Sequence, residues 1–345
     1  MLNLLDIKVS LDAGKIDPHC GGGISGDIIN AISGIFKDKI KDSVDSQGAS
    51  AVKSLIEKEA KQLLQEITWT YTLEKNVAVI DFSPQSITSS SQYLSAGVLA
   101  ETYNPSTHQP PPFANSANLP SWDATAPDAY VQILLSSWAL DSIAFTYFKA
   151  NHLQRFINHT AIDRIGTTVA LNTTEVGVFA PGLPKAYPDK WMWLVARVTG
   201  PPRAQILATH GVSATAPLEV DFFVQQGDKP AHESDPSAFS IGCNLTLGLD
   251  FHMQAGTNGS QLLVANISTA SFPFQLVNTS VGAVNVAGMR SLLETVETNL
   301  LLPLVDAFLQ KGIPLPSSPH FELQDTVLAP RDDYILVASK FKVKP

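Results

Sequence analysis

Apolar residues fall into two spacings along this chain. From Gly21 to about Ile67 they recur at three and four: Ile24, Ile28, Ile32, Ile35, Phe36 and Ile40, then, after an interruption at Ser46-Gln47-Gly48, Val52, Leu55, Ile56, Leu63 and Leu64. That spacing predicts a long amphipathic helix with one greasy face. From Phe239 to Met253 the period is two, with Phe239, Ile241, Cys243, Leu245, Leu247, Leu249, Phe251 and Met253 alternating with Ser, Gly, Asn, Thr, Asp and His. A strand of that length has one face in water and one in grease. Shorter strands are predicted at Tyr130–Leu135, Lys190–Val198, Leu218–Val224 and Leu262–Ser268, and a helix through Ala139, Ile143, Phe145 and Phe148.

A second long helix is predicted from about Val286 to Gln310, with the stripe Met289, Leu292, Leu293, Val296, Leu300, Leu304 and Phe308. Pro303 inside it predicts a kink, and Gly312 followed by Pro314 predicts its end. Between these blocks, NPSTHQPPPFANSANLP at Asn104–Pro120 reads as an extended, semi-rigid linker. The expected organisation is a partial N-terminal module over 1–103, a proline-rich linker over 104–123 and a C-terminal module over 124–345. The halves are similar in make-up, without a residue-level repeat.

The 345 residues are 44% apolar and only 16% charged, so the chain needs much interior surface or an apolar cavity. A net charge of −9 gives no overall attraction for nucleic acid or anionic membranes. No run of eighteen apolar residues occurs, and the Met1–Asp6 start is too short and too soon charged for a secretory signal. Six Asn-x-Ser/Thr sequons, at Asn158, Asn172, Asn244, Asn258, Asn266 and Asn278, nevertheless favour an extracellular protein. Asn244 falls on the wet face of the long strand, where a glycan has room. Cys20 and Cys243 leave the compartment undecided.

No catalytic constellation emerges. The segment CGGGISGD at Cys20–Asp27 lacks the Gly-Lys-Ser/Thr ending of a phosphate loop and the Gly-x-Ser-x-Gly spacing of a hydrolase elbow. The eight histidines, His152 and His159 among them, show no metal-ligand pairing, and two distant cysteines make no zinc site. No metal, cofactor or enzymatic role is therefore expected.

Two segments carry a family resemblance. HQPPPFA at His108–Ala114 and LLLPLVDAFLQKGIPLP at Leu300–Pro316 resemble the linker and last long helix of the bactericidal/permeability-increasing, lipopolysaccharide-binding and lipid-transfer protein family. Leu183–Pro188, Phe321–Pro330 and Tyr334–Ala338 continue the likeness. It implies an α+β fold of two barrel-and-long-helix modules joined by a central antiparallel sheet, with the first module incomplete. It also implies a secreted protein that holds phospholipid or another amphipathic lipid in apolar tunnels, for sequestration or transfer, and touches membranes or lipid particles peripherally.

On that resemblance, the candidate tunnel walls are Ile32, Ile35, Phe36 and Ile40 in the first module. In the second they are Leu292, Leu293, Val296, Leu300, Leu304 and Phe308. Ordinary core packing accounts for the same stripes, and both readings stand at this point. The family's usual partner for a cysteine at Cys20 is absent from Ser46–Ser50, so no disulfide is expected. Recognition of bacterial lipopolysaccharide is the alternative within the family, and a lipid esterase is the alternative of another class.

Overall fold

The structure is a computed structural model that describes residues 69–89, 94–115, 119–126, 128–129, 131–164, 169–226, 235–256, 261–315 and 321–343. The first helical stripe, with Ile32, Ile35, Phe36 and Ile40, lies outside them, as do Cys20 and Asn258.

Strands β1 (Thr70–Glu74) and β2 (Ala78–Asp81) form a hairpin, and β3 (Pro84–Ser89) pairs with β4 (Leu94–Val98). β5 (Glu101–Tyr103) returns to β2. After the proline-rich stretch come β6 (Val131–Ser136) and helix α1 (Ser137–Lys149), which Ser136 caps by accepting the Ala139 N–H. α1 is stitched to β5 through buried hydroxyls: Ser142 accepts the Thr102 N–H at 2.7 Å, and Thr146 donates to the Thr102 carbonyl at 2.7 Å.

Then follow β7 (Gln154–Asn158), α2 (His159–Arg164), α3 (Thr173–Val176), α4 (Leu183–Ala186), β8 (Met192–Val198) and β9 (Arg203–Leu207). The two longest strands come next, β10 (Gly211–Val224) and β11 (Ser237–Ala255), then β12 (Gln261–Ser271) and β13 (Gln275–Thr279). α5 (Arg290–Val296) leads through a π turn at Glu297–Leu301 into α6 (Leu302–Leu309). β14 (Ile313–Pro314), β15 (Phe321–Arg331) and β16 (Tyr334–Val343) complete this α+β fold.

Among the described residues, one eight-stranded antiparallel sheet dominates, in the order β14-β12-β11-β10-β8-β7, with β13 also on β11 and β9 also on β10. The alternation of β11 is kept: Cys243, Leu245, Leu247 and Leu249 are buried, while Asn244, Thr246 and Asp250 are exposed. β10 supplies Val212, Leu218, Val220 and Phe222 to the same face. The predicted Leu218–Val224 strand thus extends back to Gly211. Pro217 hides that extension in the sequence, because proline interrupts ladders. It is tolerated where β10 changes partner from β9, which ends opposite Thr215, to β8, which begins opposite Leu218.

Two cores cover this face in succession. One gathers Leu194, Val220, Phe222, Phe239 and Ile241 under α5, with Phe222 and Phe239 stacked at 4.3 Å. The other gathers Leu218, Leu245 and Leu263 with Ile80 of β2 and with Ile143 and Tyr147 of α1. Cys243 sits buried without a disulfide partner among the described residues, and burial, then the nearby Glu297, pushes its thiol up to about 11.

The proline-rich stretch is fastened down. The Phe113 carbonyl accepts the Trp138 indole N–H at 3.3 Å, and its ring lies 4.4 Å from the Arg203 guanidinium. Beyond it, buried Asp123 collects the hydroxyl of Thr125 at 2.6 Å, the phenol of Tyr334 at 3.0 Å and Nε of Arg331 at 3.2 Å. Burial raises the pKa of this carboxyl, but the donors together with Arg331 outweigh it and hold it below its ordinary value.

Its ionised form is therefore favoured by folding, and the gain is present above the ordinary aspartate range and lost as pH falls through the lowered folded value. Asp123→Ala is expected to cost about 2–4 kcal/mol at neutral pH by orphaning these donors. The gap between the two proteins in urea melts should narrow below pH of about 4; a gap independent of pH would remove the ionised carboxylate from the account.

Candidate functional site

The helix that covers the sheet changes character along its length. In α5, Leu292, Leu293 and Val296 are 4%, 3% and 2% exposed and pack into the core, joined by Met289 just ahead of the helix. In the π turn and α6 no residue is fully buried, although Leu302, Leu304, Val305, Phe308 and Leu309 are all apolar. The kink expected at Pro303 takes the form of the π turn immediately before it. A proline there cannot donate to the carbonyl four residues back, and a π turn inserts one residue into the helical phase.

That insertion moves the inward stripe on by one. Leu301, Val305, Phe308 and Leu309 turn to the sheet, whereas Leu304 is 41% exposed. Leu300, still in the older phase, reaches only the edge of the α5 core.

Between α6 and the sheet lies a slot of about 390 Å³. Its walls are Ala196, Val198, Leu218, Leu245 and Phe272 on the sheet side and Leu301, Leu302, Leu304, Val305, Ala307 and Phe308 on the helix side. Its rim is polar, formed by Glu74, His152, Gln154, Arg155 and Lys311. A second cavity of about 140 Å³ lies against α1, lined by Leu140, Ile143, Leu249, Phe251 and Leu263 among others.

Tyr147, Phe308 and Lys311 line both, so the two spaces share one wall. Its rings meet edge to face at 4.4 Å. Lys311 Nζ donates to Glu74 at 2.8 Å, and His152 Nδ1 stands 3.5 Å from the other carboxylate oxygen. The Lys311 hydrogen bond holds the Glu74 carboxyl below its ordinary range in spite of partial burial. Burial, then the hydrogen-bonded Glu74, pushes the Tyr147 phenol well above its ordinary value, so it stays a neutral donor.

Of the residues expected to line a tunnel, the structure brings Leu304 and Phe308 to the slot and Leu292, Leu293 and Val296 into the closed core. Sequence reasoning passed over Leu301, Leu302 and Val305, which an unbroken 3.6-residue period hides, and the rim residues, which come together only in space. One signal was legible: in Gln154–Asn158, alternation sets Arg155 on the same face as buried Ile157. Among the described residues no group of side chains could hold a metal ion, and no helix is long and apolar enough to cross a membrane.

The sequons differ in setting. Asn244, Asn266 and Asn278 are exposed. Asn158 accepts the Ala161 N–H at 3.0 Å, and Asn172 accepts those of Thr174 and Glu175 at the start of α3.

The LBP / BPI / CETP family, C-terminal domain, matches residues 72–343. A bactericidal permeability-increasing protein of Sebastes schlegelii is 27% identical over 271 residues, 76% of this chain and 53% of that protein. A lipopolysaccharide-binding protein of Mus musculus is 23% identical over 333 residues, 94% of this chain and 64% of that protein. The chain thus spans between half and two-thirds of the length of these relatives. A crystal structure of lipopolysaccharide binding protein aligns with a TM-score of 0.46 at 22% identity, covering 90% of this chain and 66% of the other.

The phase shift at the π turn can be measured. Val296→Ala removes buried methyls from a closed core and should cost about 1–3 kcal/mol. Val305→Ala, beside an existing cavity, should cost less than about 1 kcal/mol, because fewer packed atoms lose contacts. Equal losses in chemical denaturation would place Val305 in packed core.

Proposed function

The chain belongs to the LBP / BPI / CETP family, and on that premise we propose that it binds phospholipid-like amphiphiles by taking an acyl chain into the slot under α6, for sequestration or transfer. One observation carries this reading: an apolar helix with no fully buried residue lies over the apolar face of a sheet and leaves a space between them, closed by grease within and ringed by ionic groups outside. Burying each acyl CH₂ gains about 0.8 kcal/mol, so ten of them gain on the order of 8 kcal/mol before ordering costs. No bond need be made or broken.

A second reading, recognition of bacterial lipopolysaccharide, is favoured by the match to the murine protein of that name along almost the whole chain. The net charge of −9 weighs against it for this segment, since lipid A carries phosphates. An esterase acting on the same lipids would release fatty acid in the assay below.

Protein purified without detergent should contain lipid by mass spectrometry and take up chain-labelled phospholipid, including at salt of about 1 M, where charge contacts are screened. Val305→Phe should fill the slot and lower uptake severalfold while the melting temperature falls little, overpacking costing about 1–3 kcal/mol. Wild-type protein free of lipid and inert to labelled phospholipid would sink the proposal.

We also propose that the protein is secreted and glycosylated at Asn244, Asn266 and Asn278, the exposed sequons. Expressed behind a signal sequence, it should lose mass on glycosidase treatment. A mass that does not change removes this part.

A further inference from the structure

We propose that Arg155 is a phosphate ligand at the mouth of the slot, so that the site selects a phosphate-bearing lipid over a neutral lipid with the same chains. This rests on the lipid-binding reading above.

The register of the sheet makes the case. Arg155 is paired with Ala196, Ala196 with Val220 and Val220 with Ile241. Residues opposite one another across antiparallel strands share a face. The other three members of that row are buried apolar residues of the inner face. Arg155 therefore projects from the greasy side of the sheet, while its neighbour Phe156 points to the outer side and is 46% exposed. On that outer side Phe156 lies 4.7 Å from the buried Trp193 ring, whereas Arg155, on the edge strand, keeps its own side chain exposed. An exposed guanidinium at the edge of an apolar face is placed to meet the polar head of a ligand whose chain enters from this edge.

The charges on the rim agree. Lys311 and Glu74 neutralise each other at 2.8 Å, with His152 beside them. Arg155 has no acidic partner among the described residues and lines the slot together with them. The rim carries one uncompensated positive charge in a chain whose net charge is −9. A phosphodiester supplies one negative charge and an oxygen pair that a guanidinium grips with two parallel N–H donors. A diacylglycerol supplies neither.

The test uses the full chain and donor vesicles of phosphatidylcholine carrying a trace of either chain-labelled phosphatidylcholine or chain-labelled diacylglycerol. Wild type should favour the phospholipid by about tenfold, the range of one charge-assisted hydrogen-bond pair. Arg155→Gln should bring that ratio down at least about fivefold by lowering phospholipid uptake more than diacylglycerol uptake, with the melting temperature unchanged, since no internal partner is lost. Arg155→Lys should restore part of it, a point charge replacing a fork.

Equal wild-type uptake of the two lipids, or an unchanged ratio in Arg155→Gln, overturns the assignment but leaves acyl binding standing. Absence of uptake for both lipids removes the underlying reading instead. Excess inorganic phosphate should leave the ratio nearly intact, because the phosphate is held only when its chain is in the slot. Erasure of the ratio by phosphate alone would make this a free-anion site and overturn the proposal.

Discussion

The pairing of β10 with β11 sets the problem that the rest of the molecule answers. Twelve residues of β10 find partners on β11, from Val212 opposite Leu249 to Phe223 opposite Ser237, and nearly every inward residue along that ladder is apolar. A face of that length must be covered for the sheet to exist in water. Its twist prevents one straight helix from covering it all in one register. The covering is consequently divided: α5 seals one end, α1 and the β1-β2 hairpin approach the other, and α6 bridges the interval with looser contact.

The π turn is the device that makes the division. Without it, the stripe from Met289 to Leu304 would continue unbroken, and α6 would turn Leu304 inward and Val305 outward. With one residue inserted, Leu301, Val305 and Phe308 face the sheet, and Pro303 is accommodated in the first turn of α6. The price is imperfect packing, and the residual space is the slot. The same local irregularity that costs helix hydrogen bonds therefore creates the one feature the proposed function requires.

The ionic groups have a positional logic too. Glu74, Tyr147, His152 and Lys311 tie the first hairpin, the end of α1 and the end of α6 into one knot at the wall shared by the two cavities. Exposed pairs of this kind contribute little stability singly. Their value here is geometric, since they hold the ends of three elements around an opening that apolar contacts alone would tend to close.

Much of this architecture was legible in the residues themselves. Period-two alternation from Phe239 to Met253 determined a one-faced strand, and the wet position of Asn244 followed from it. The apolar stripe near the C-terminus determined a helix over a sheet, and its upstream half, Leu292 to Val296, is buried as a stripe should be. These features are local, and each residue votes for them through its own spacing.

What the spacing could not determine was the change of phase after Val296, the strand hidden around Pro217 and the meeting of Glu74 with Lys311. The first depends on how the helix adjusts when a proline must share a turn with residues that need the sheet. The second depends on which strand lies beside Pro217, and the third on contacts more than two hundred residues apart. Arg155 stands between the two cases: its inward direction was written in the alternation of QRFIN, but only the closed sheet and the helix above it turned that direction into the mouth of a slot.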